Sequence, residues 1–135
     1  IEGLSQSVLN MVVGIYFSQH VIKKIDAPPV LLDVLKKLRS PLFFTQKVSD
    51  IIAQTNYSHS QFLNIFKQYT GVSIVQYMNR LRIDYAAELL RHTDDTVLSI
   101  CEECGYDSLS FFIKSFKSQY GQTPLQYRKT QRAEN

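Results

Sequence analysis

Apolar residues recur three and four positions apart along most of the chain, the spacing of an α-helix that buries one face. No segment alternates apolar and polar residues toward a hairpin turn, so the pattern predicts an all-α fold. The predicted helices span residues 5–24, 30–39, 45–55, 58–71, 73–92, 97–104 and 108–120, and a last one begins at residue 123.

Serine or threonine precedes glutamine by three positions at three of the predicted helix starts. This spacing is typical of a capping box, in which two residues hydrogen-bond each other's backbone N–H groups. A proline at the first helical position strengthens the last of these starts. The pairs are Ser58 with Gln61, Ser73 with Gln76, and Thr123 with Gln126.

Glycine and asparagine indicate where several of these helices end. Gly71, Gly105 and Gly121 each follow a helical segment, where a left-handed residue closes a helix readily. Asn56 occupies the turn after the segment 45–55, and we expect it to adopt a positive φ there.

The chain matches itself when it is shifted by 49 to 50 residues. Each copy is a helix of about nine residues, a short turn and a helix of about twelve, which is the plan of a helix-turn-helix unit. A generic helical repeat is the alternative, but two copies are fewer than the ~3 that a solenoid needs. The matching pairs are Ile51–Ile100, Tyr57–Tyr106, Ser60–Ser110, Phe62–Phe112, Phe66–Phe116, Lys67–Lys117, Gly71–Gly121, Gln76–Gln126 and Tyr77–Tyr127.

The helix predicted between the two units sets their spacing. Residues 73–92 span about 30 Å at 1.5 Å per residue. One turn of B-DNA is ~34 Å long. A stiff helix of this length is expected to hold the second helix of each unit in successive major-groove segments on one face of the DNA.

Each second helix has one aromatic side and one polar side when it is projected at 100° per residue. The aromatic sides, expected to face the core, carry Phe62, Ile65, Phe66, Tyr69, Phe112 and Phe116. Serine and asparagine suit base edges, an aliphatic side chain suits a thymine methyl group, and lysine suits phosphate. An ordinary solvated surface is the alternative, which the repetition of the pattern disfavours. The outward sides carry Ser60, Leu63, Asn64 and Lys67 in the first unit, and Ser110, Ile113, Lys114 and Lys117 in the second.

The two repeated segments, 48–71 and 98–121, resemble the paired helix-turn-helix units of AraC-type transcription factors. The sequence ICEECGY at 100–106 resembles the family's first helix and glycine-aromatic turn, and SFFIKSFK at 110–117 resembles its recognition helix. The sequence GQTPLQYR at 121–128 resembles the closing signature. Cys101 and Ile52 depart from the usual alanine, and Leu109 and Leu63 stand where polar base-reading residues are common.

The resemblance, over about residues 30–129, implies the DNA-binding domain of a regulator whose sensor lies N-terminal. Residues 1–27 are then a helix and linker from that sensor, a dimerisation helix, or a helix packed on the domain. Residues 28–92 form the first subdomain with the connecting helix, and 93–135 form the second. Because the chain begins at Ile1, we expect a fragment of a longer protein.

The implied partners are promoter or operator DNA, RNA polymerase, and a second copy held through the N-terminal segment or the sensor. The implied location is the cytoplasm, at the nucleoid. We expect DNA contacts from His59, Ser60, Leu63, Asn64 and Lys67 in the first unit, and from Leu109, Ser110, Ile113, Lys114 and Lys117 in the second.

Composition and charge permit this function without demanding it. The chain of 135 residues is 44% hydrophobic, which predicts a packed domain, and no apolar run approaches the ~20 residues of a membrane span. The net charge is only +3, and from Asp95 onward five basic residues balance five acidic ones. A helical protein-interaction module is therefore the main alternative. RNA is disfavoured because its major groove is too narrow for a helix.

Other motifs predict no catalysis, metal or cofactor. Cys101 and Cys104 form a C-x-x-C pair without a second ligand pair, so we expect Cys101 to fill the core. No nucleophile–base pair, glycine-rich phosphate loop or carboxylate dyad is present, and so we expect no enzyme.

The connecting helix carries arginines with two alternative roles. Arg80, Arg82 and Arg91 can reach the DNA backbone, or they can pair within the helix with Asp84 or Glu88.

Overall fold

A computed structural model describes residues 27–134, and over that range it is helical, as the sequence predicts. The helix predicted over residues 5–24 lies outside the described residues. The elements are α1 (Pro29–Leu38), a 3₁₀ turn (Pro41–Phe43), α2 (Val48–Ala53), α3 (His59–Thr70), α4 (Ile74–His92), α5 (Val97–Glu103), α6 (Leu109–Tyr120) and α7 (Pro124–Ala133).

Capping side chains start the helices where the sequence places them. The three predicted capping boxes are present at α3, α4 and α7. At α3, the backbone N–H of Ser58 donates to Gln61 Oε1 at 3.0 Å, and the N–H of Gln61 donates to Ser58 Oγ at 3.2 Å. Such a cap contributes about 1 kcal/mol, which fixes the first turn of a helix even where that turn is exposed.

Two clusters of buried side chains form the core, and α4 contributes to both. The first cluster joins α1, α2, α3 and the N-terminal half of α4, and ends at Leu81. The second begins at Ile83 and joins the C-terminal half of α4 to α5, α6 and α7. Tyr85 is half-buried against both clusters. The connecting helix is therefore a structural part of both helix-turn-helix units.

The first helix of each unit is shorter than predicted. α2 has six residues and α5 has seven, in place of about nine. α2 begins only at Val48, because the backbone of Lys47 is extended (φ −75°, ψ 142°) and the N–H of Gln46 is used in a turn with Phe43 O. The predicted helix began at residue 45 because the prediction used apolar spacing alone, which does not reveal this turn.

The predicted positive φ at Asn56 is wrong. Among the described residues only glycines have a positive φ. The Thr55 hydroxyl instead donates to Ile52 O at 2.6 Å and accepts from the N–H of Tyr57 at 3.3 Å. These bonds shape the turn without a left-handed residue.

Gly105 brings the second unit against the backbone of the first. It has φ +88°, and a Cβ atom there would lie 1.9 Å from the carbonyl oxygen of Phe44. Phe44 follows the 3₁₀ turn and is fully buried in the first cluster. Its ring packs edge-on against Tyr85, with centroids 5.5 Å apart. The turn of the second unit therefore rests directly on the first.

Polar contacts surround this close approach. The Tyr106 hydroxyl, in the same turn as Gly105, donates to Asn79 Oδ1 on α4. Arg82 Nη2 donates to Gln46 O at 3.3 Å, so α4 also holds the segment that leads into α2. Together these contacts fix the turn of the second unit against α4 and the first unit.

We predict that G105A destabilises the chain by more than about 3 kcal/mol. The substitution adds backbone strain of about 1–2 kcal/mol and an overlap with Phe44 O that only backbone movement relieves. Urea unfolding measures the loss.

G121A is the matched control, because Gly121 has φ +75° but nothing lies within 4 Å of the place that its Cβ would take. It should lose only the strain of about 1–2 kcal/mol. Equal losses in the two variants would contradict a close approach at Gly105.

Candidate nucleic-acid interface

The exposed side of α3 carries most of the residues that the sequence assigned to DNA. Phe62 and Phe66 are fully buried and fix the rotation of the helix. The side chains that are exposed as predicted are His59, Ser60, Asn64 and Lys67.

The exposed side of α6 repeats this arrangement. Phe112 and Phe116 are fully buried on its inner side. The outward residues that are exposed as predicted are Leu109, Ser110, Lys114 and Lys117. Neither α3 nor α6 contains an acidic residue. Both helices therefore present short polar groups and cations with no carboxylate among them.

Leu63 and Ile113 differ from their predicted placement. Both are half-buried and pack against the core cluster of their own unit. Each lies three positions before a buried phenylalanine, Phe66 or Phe116, and so only about 60° from it round the helix, at the edge of the core rather than fully outward. These two side chains form the borders of the exposed sides.

Phe111 is an exposed residue of α6 that the sequence pattern did not single out. Its side chain is 55% exposed, and Leu109, two residues earlier on another side of the helix, is 39% exposed. The signal was present in the sequence, because Phe111 and Phe112 are adjacent and successive helical residues point about 100° apart. Only one of the two can face the core.

Buried Asp84 of α4 fixes the C-terminal end of α6. Asp84 Oδ1 accepts hydrogen bonds from Tyr120 Oη and Gln119 Nε2, each at 2.7 Å. Arg80 Nε donates to Asp84 Oδ2 at 3.4 Å. Burial raises the pKa of the Asp84 carboxyl, and the bonds from Tyr120 and Arg80 oppose this increase. The carboxylate thus anchors α6 to the shared helix.

Two of the three arginines of α4 form the pairs within the helix that were the alternative to DNA contact, and Arg82 contacts another segment instead. Arg80 pairs with Asp84, four residues on, and Arg91 pairs with buried Glu88 and also donates to Tyr127 Oη of α7. Arg82 is half-buried and donates to the backbone carbonyl that precedes α2.

The arginines of α7 also contact protein. Arg128 Nε donates to Leu90 O at 3.1 Å, and Arg128 Nη2 donates to Thr93 O at 3.0 Å. Arg132 pairs with Asp94 at 2.8 Å. These two cations hold α7 against the end of α4 and the linker that follows it.

The acidic residues of the second unit lie outside α6. Glu102 and Glu103 are exposed on α5, and Asp107 precedes α6. The balanced charge of this unit is therefore unevenly placed, with Lys114 and Lys117 on α6 and the carboxylates elsewhere.

The C-x-x-C pair is part of the core, as predicted for Cys101. Cys101 and Cys104 are free thiols, 1% and 0% exposed. Burial is the main cause that raises the pKa of the Cys104 thiol. Within residues 27–134 no three His, Cys, Asp or Glu side chains come together as metal ligands.

Over the same described range, no helix combines the length and the apolar character needed to cross a bilayer.

Comparison with known proteins identifies the class of domain. A model of the helix-turn-helix domain family matches residues 51–130, more than half of the chain. The transcriptional activator RhaR of Mannheimia succiniciproducens is 37% identical over 81 residues, which is 60% of this chain and 29% of RhaR. The chain spans less than a third of the curated relatives that it first matches, at 29%, 24% and 27% of their lengths.

Solved structures agree with the fold. The C-terminal domain of AraT, a response regulator from Geobacillus stearothermophilus, has a TM-score of 0.70 and 28% identity, covering 78% of this chain and 88% of that one. The DNA-binding domain of the global transcriptional factor AdpA, solved with a target DNA, has a TM-score of 0.73, covering 80% of this chain and 97% of that one. At 24% identity, the likeness to AdpA shows the fold alone.

We predict that D84N makes stability less dependent on pH. A carboxyl whose pKa is raised by folding keeps its proton longer in the folded chain, so its favourable contribution is complete below the ordinary aspartate pKa. That contribution is lost as pH rises through the raised value. In urea unfolding measured from about pH 4 to about pH 7, the free energy of unfolding of D84N should rise relative to that of wild type as the pH increases.

Y120F tests the same site in the opposite direction. It removes a hydrogen bond that favours the ionised carboxylate, so the loss of stability with rising pH should become steeper. Parallel pH curves for all three proteins would contradict the anchoring role of Asp84.

Proposed function

Since the chain belongs to the AraC/XylS family of helix-turn-helix transcription regulators, we propose that it binds double-stranded DNA with α3 and α6 in successive major-groove segments. The observation that carries this proposal is the duplication of one exposed helix side. In both units the second helix is held by buried aromatic rings, presents lysines outward and carries no acid. A surface of that kind attracts phosphates and leaves short side chains free to reach bases.

The first unit supplies two kinds of contact in this proposal. Ser60 and Asn64 read base edges, since an asparagine amide can pair bidentately with adenine. His59, at the first position of α3, and Lys67 contact phosphate. Leu63, which packs against the first core cluster, lies at the border of this contact surface.

The second unit supplies the corresponding contacts through α6. Ser110 and Lys114 read base edges, and Lys117 contacts phosphate. Leu109 and Ile113 provide the apolar part of the surface.

The length of α4 supports simultaneous use of the two units. Its 19 residues span about 28 Å, close to the ~34 Å turn of B-DNA. α4 is built into both cores, so this separation is fixed by packing rather than by a flexible linker.

The remaining parts of a whole regulator belong to the same proposal. Residues 28–92 form the first subdomain with its connecting helix, 93–135 form the second, and 1–27 lead from a sensor domain or join two copies. The protein acts in the cytoplasm at the nucleoid, and RNA polymerase is its partner at the promoter. The greater length of the relatives supports a further domain.

A helical protein-interaction module is the second candidate. Exposed apolar side chains away from α3 and α6 favour it, with Leu42 82% exposed and Leu125 53% exposed. A mobility-shift titration over a range of salt concentrations separates the two, since a protein-interaction module would shift no duplex at any of them.

We predict that DNase footprinting over a promoter that the protein binds shows continuous or two-part protection of at least about 15 base pairs. Two helices in adjacent major-groove segments cover more than one turn of the duplex. Protection limited to a single half-turn would contradict reading by both units.

We predict that K67A and K117A each weaken binding across all sequences and reduce the salt slope of log K by about one. Each removes one phosphate contact and the counterion release that accompanies it. Fluorescence anisotropy over a salt series gives both quantities.

K36A is the matched control, because Lys36 is an exposed lysine on α1, outside both second helices. It should leave the slope unchanged. A change equal to that of K67A would indicate a general charge effect and contradict the assigned contacts. N64A should instead lower the discrimination between sequences and preserve the slope.

A further inference from the structure

The first turn of α6 lacks the reciprocal cap that its repeat counterpart α3 has. At α3, α4 and α7, a glutamine three residues after the cap returns a hydrogen bond to the cap's backbone N–H. At α6, Ser108 Oγ accepts from the N–H of Phe111 at 3.2 Å, but a phenyl ring has no acceptor with which to return the bond. The chain gives up one capping interaction at this position.

Burial of Phe111 does not compensate for that loss. Its side chain is 55% exposed, whereas the adjacent Phe112 is fully buried. The Phe111 ring lies near the ring of Tyr106, with centroids 6.0 Å apart and planes tilted by 48°. Phe111 thus forgoes a capping hydrogen bond and leaves an aromatic ring exposed to solvent. Both features work against folding, and their combination is typical of a position kept for binding.

The internal repeat shows that this feature belongs to one unit only. At an offset of 50 residues, His59 and Gln61 of α3 correspond to Leu109 and Phe111 of α6. The first turn of α3 is thus polar, and the first turn of α6 is apolar. The two helices therefore suit different base edges.

Thymine offers the matching chemistry for an apolar side chain in the major groove. Its 5-methyl group is the apolar group among the otherwise polar base edges there. Lys114 lies about one turn beyond Phe111 and Lys117 about two turns beyond, and both are exposed. Asp107, two residues before α6, is placed where it interacts electrostatically with Arg82 of α4.

We propose that Phe111 reads thymine methyl groups, so that the DNA site has a thymine-containing half for α6 and a different half for α3. This inference rests on the proposed DNA binding and names the base specificity of the second unit. A cleft of about 410 Å³ lies beside Phe111, lined also by Val75, Arg82 and Tyr106. A protein side chain seated in that cleft is the competing occupant.

The test removes single methyl groups from the DNA. The 135-residue chain is used to select a binding sequence from a random duplex library of about 30 base pairs. The selected duplex is then remade with deoxyuridine in place of thymidine at one position at a time. Binding of wild type and F111A to each duplex is measured by fluorescence anisotropy.

For wild type, at least one replacement in one half of the site should weaken binding about fourfold, the effect expected for one buried methyl group. F111A should bind the thymidine duplex more weakly, and the same replacement should change its affinity less than about twofold. Such loss of additivity reports a direct contact between Phe111 and that methyl group.

Two further variants control for folding and for general surface effects. F111Q restores the serine–glutamine cap, so its melting temperature should not fall, and it should lose the methyl effect as F111A does. L125A removes a side chain of similar exposure on α7 and should keep the wild-type methyl effect.

The other outcomes separate the two proposals. A chain that selects no DNA sequence overturns the proposed function and this inference with it. A chain that selects a sequence with no thymine effect, or with equal effects in wild type and F111A, overturns the inference alone. In that case Phe111 belongs to the cleft with Val75 as a protein contact.

Discussion

The arrangement of the two helix-turn-helix units depends on the close approach between Gly105 and the backbone of Phe44. No side chain fits between them, so the turn of the second unit lies directly on the first. The bonds from Tyr106 to Asn79 and from Arg82 to Gln46 form around this contact. With α4 buried in both clusters, the separation of α3 and α6 is a property of packing, and this is the feature that DNA geometry requires.

Local chemistry allowed much of the fold to be predicted from the sequence. The capping boxes at Ser58, Ser73 and Thr123 depend on residues three positions apart, and the structure confirms all three. The same holds for the buried sides of α3 and α6, since an aromatic stripe at helical spacing has one way to be buried.

The features that sequence reasoning missed depend on contacts between distant segments or on side chains competing for one position. The residues near Gly105 in sequence do not indicate its close approach to Phe44, which lies 61 residues earlier in the chain. Thr55 replaced the expected role of Asn56 through a hydroxyl with two partners. Leu63 lies at the edge of the core of its own unit rather than fully outward. Phe111, which the sequence pattern did not single out, is exposed because the adjacent Phe112 fills the buried side of α6.

Net charge proved a poor guide to the surface of the second unit. Its balanced total includes Arg128 and Arg132, which hold α7 to the end of α4 and the following linker, and the carboxylates of α5. α6 itself is cationic. A binding partner senses the charges within about one Debye length of its own surface, so their placement matters more than their sum.

The shared helix α4 has a consequence for the binding equilibrium of any regulator built on this plan. When one unit has docked on its segment of DNA, the covalent and rigid connection holds the other at a high effective concentration beside the next segment. At low concentration, occupancy of a two-part site then rises with the first power of protein concentration, whereas filling it with two separate monomers would depend on the second power. A tandem reader of this kind also has no two-fold axis, and so it lies on its site in one orientation.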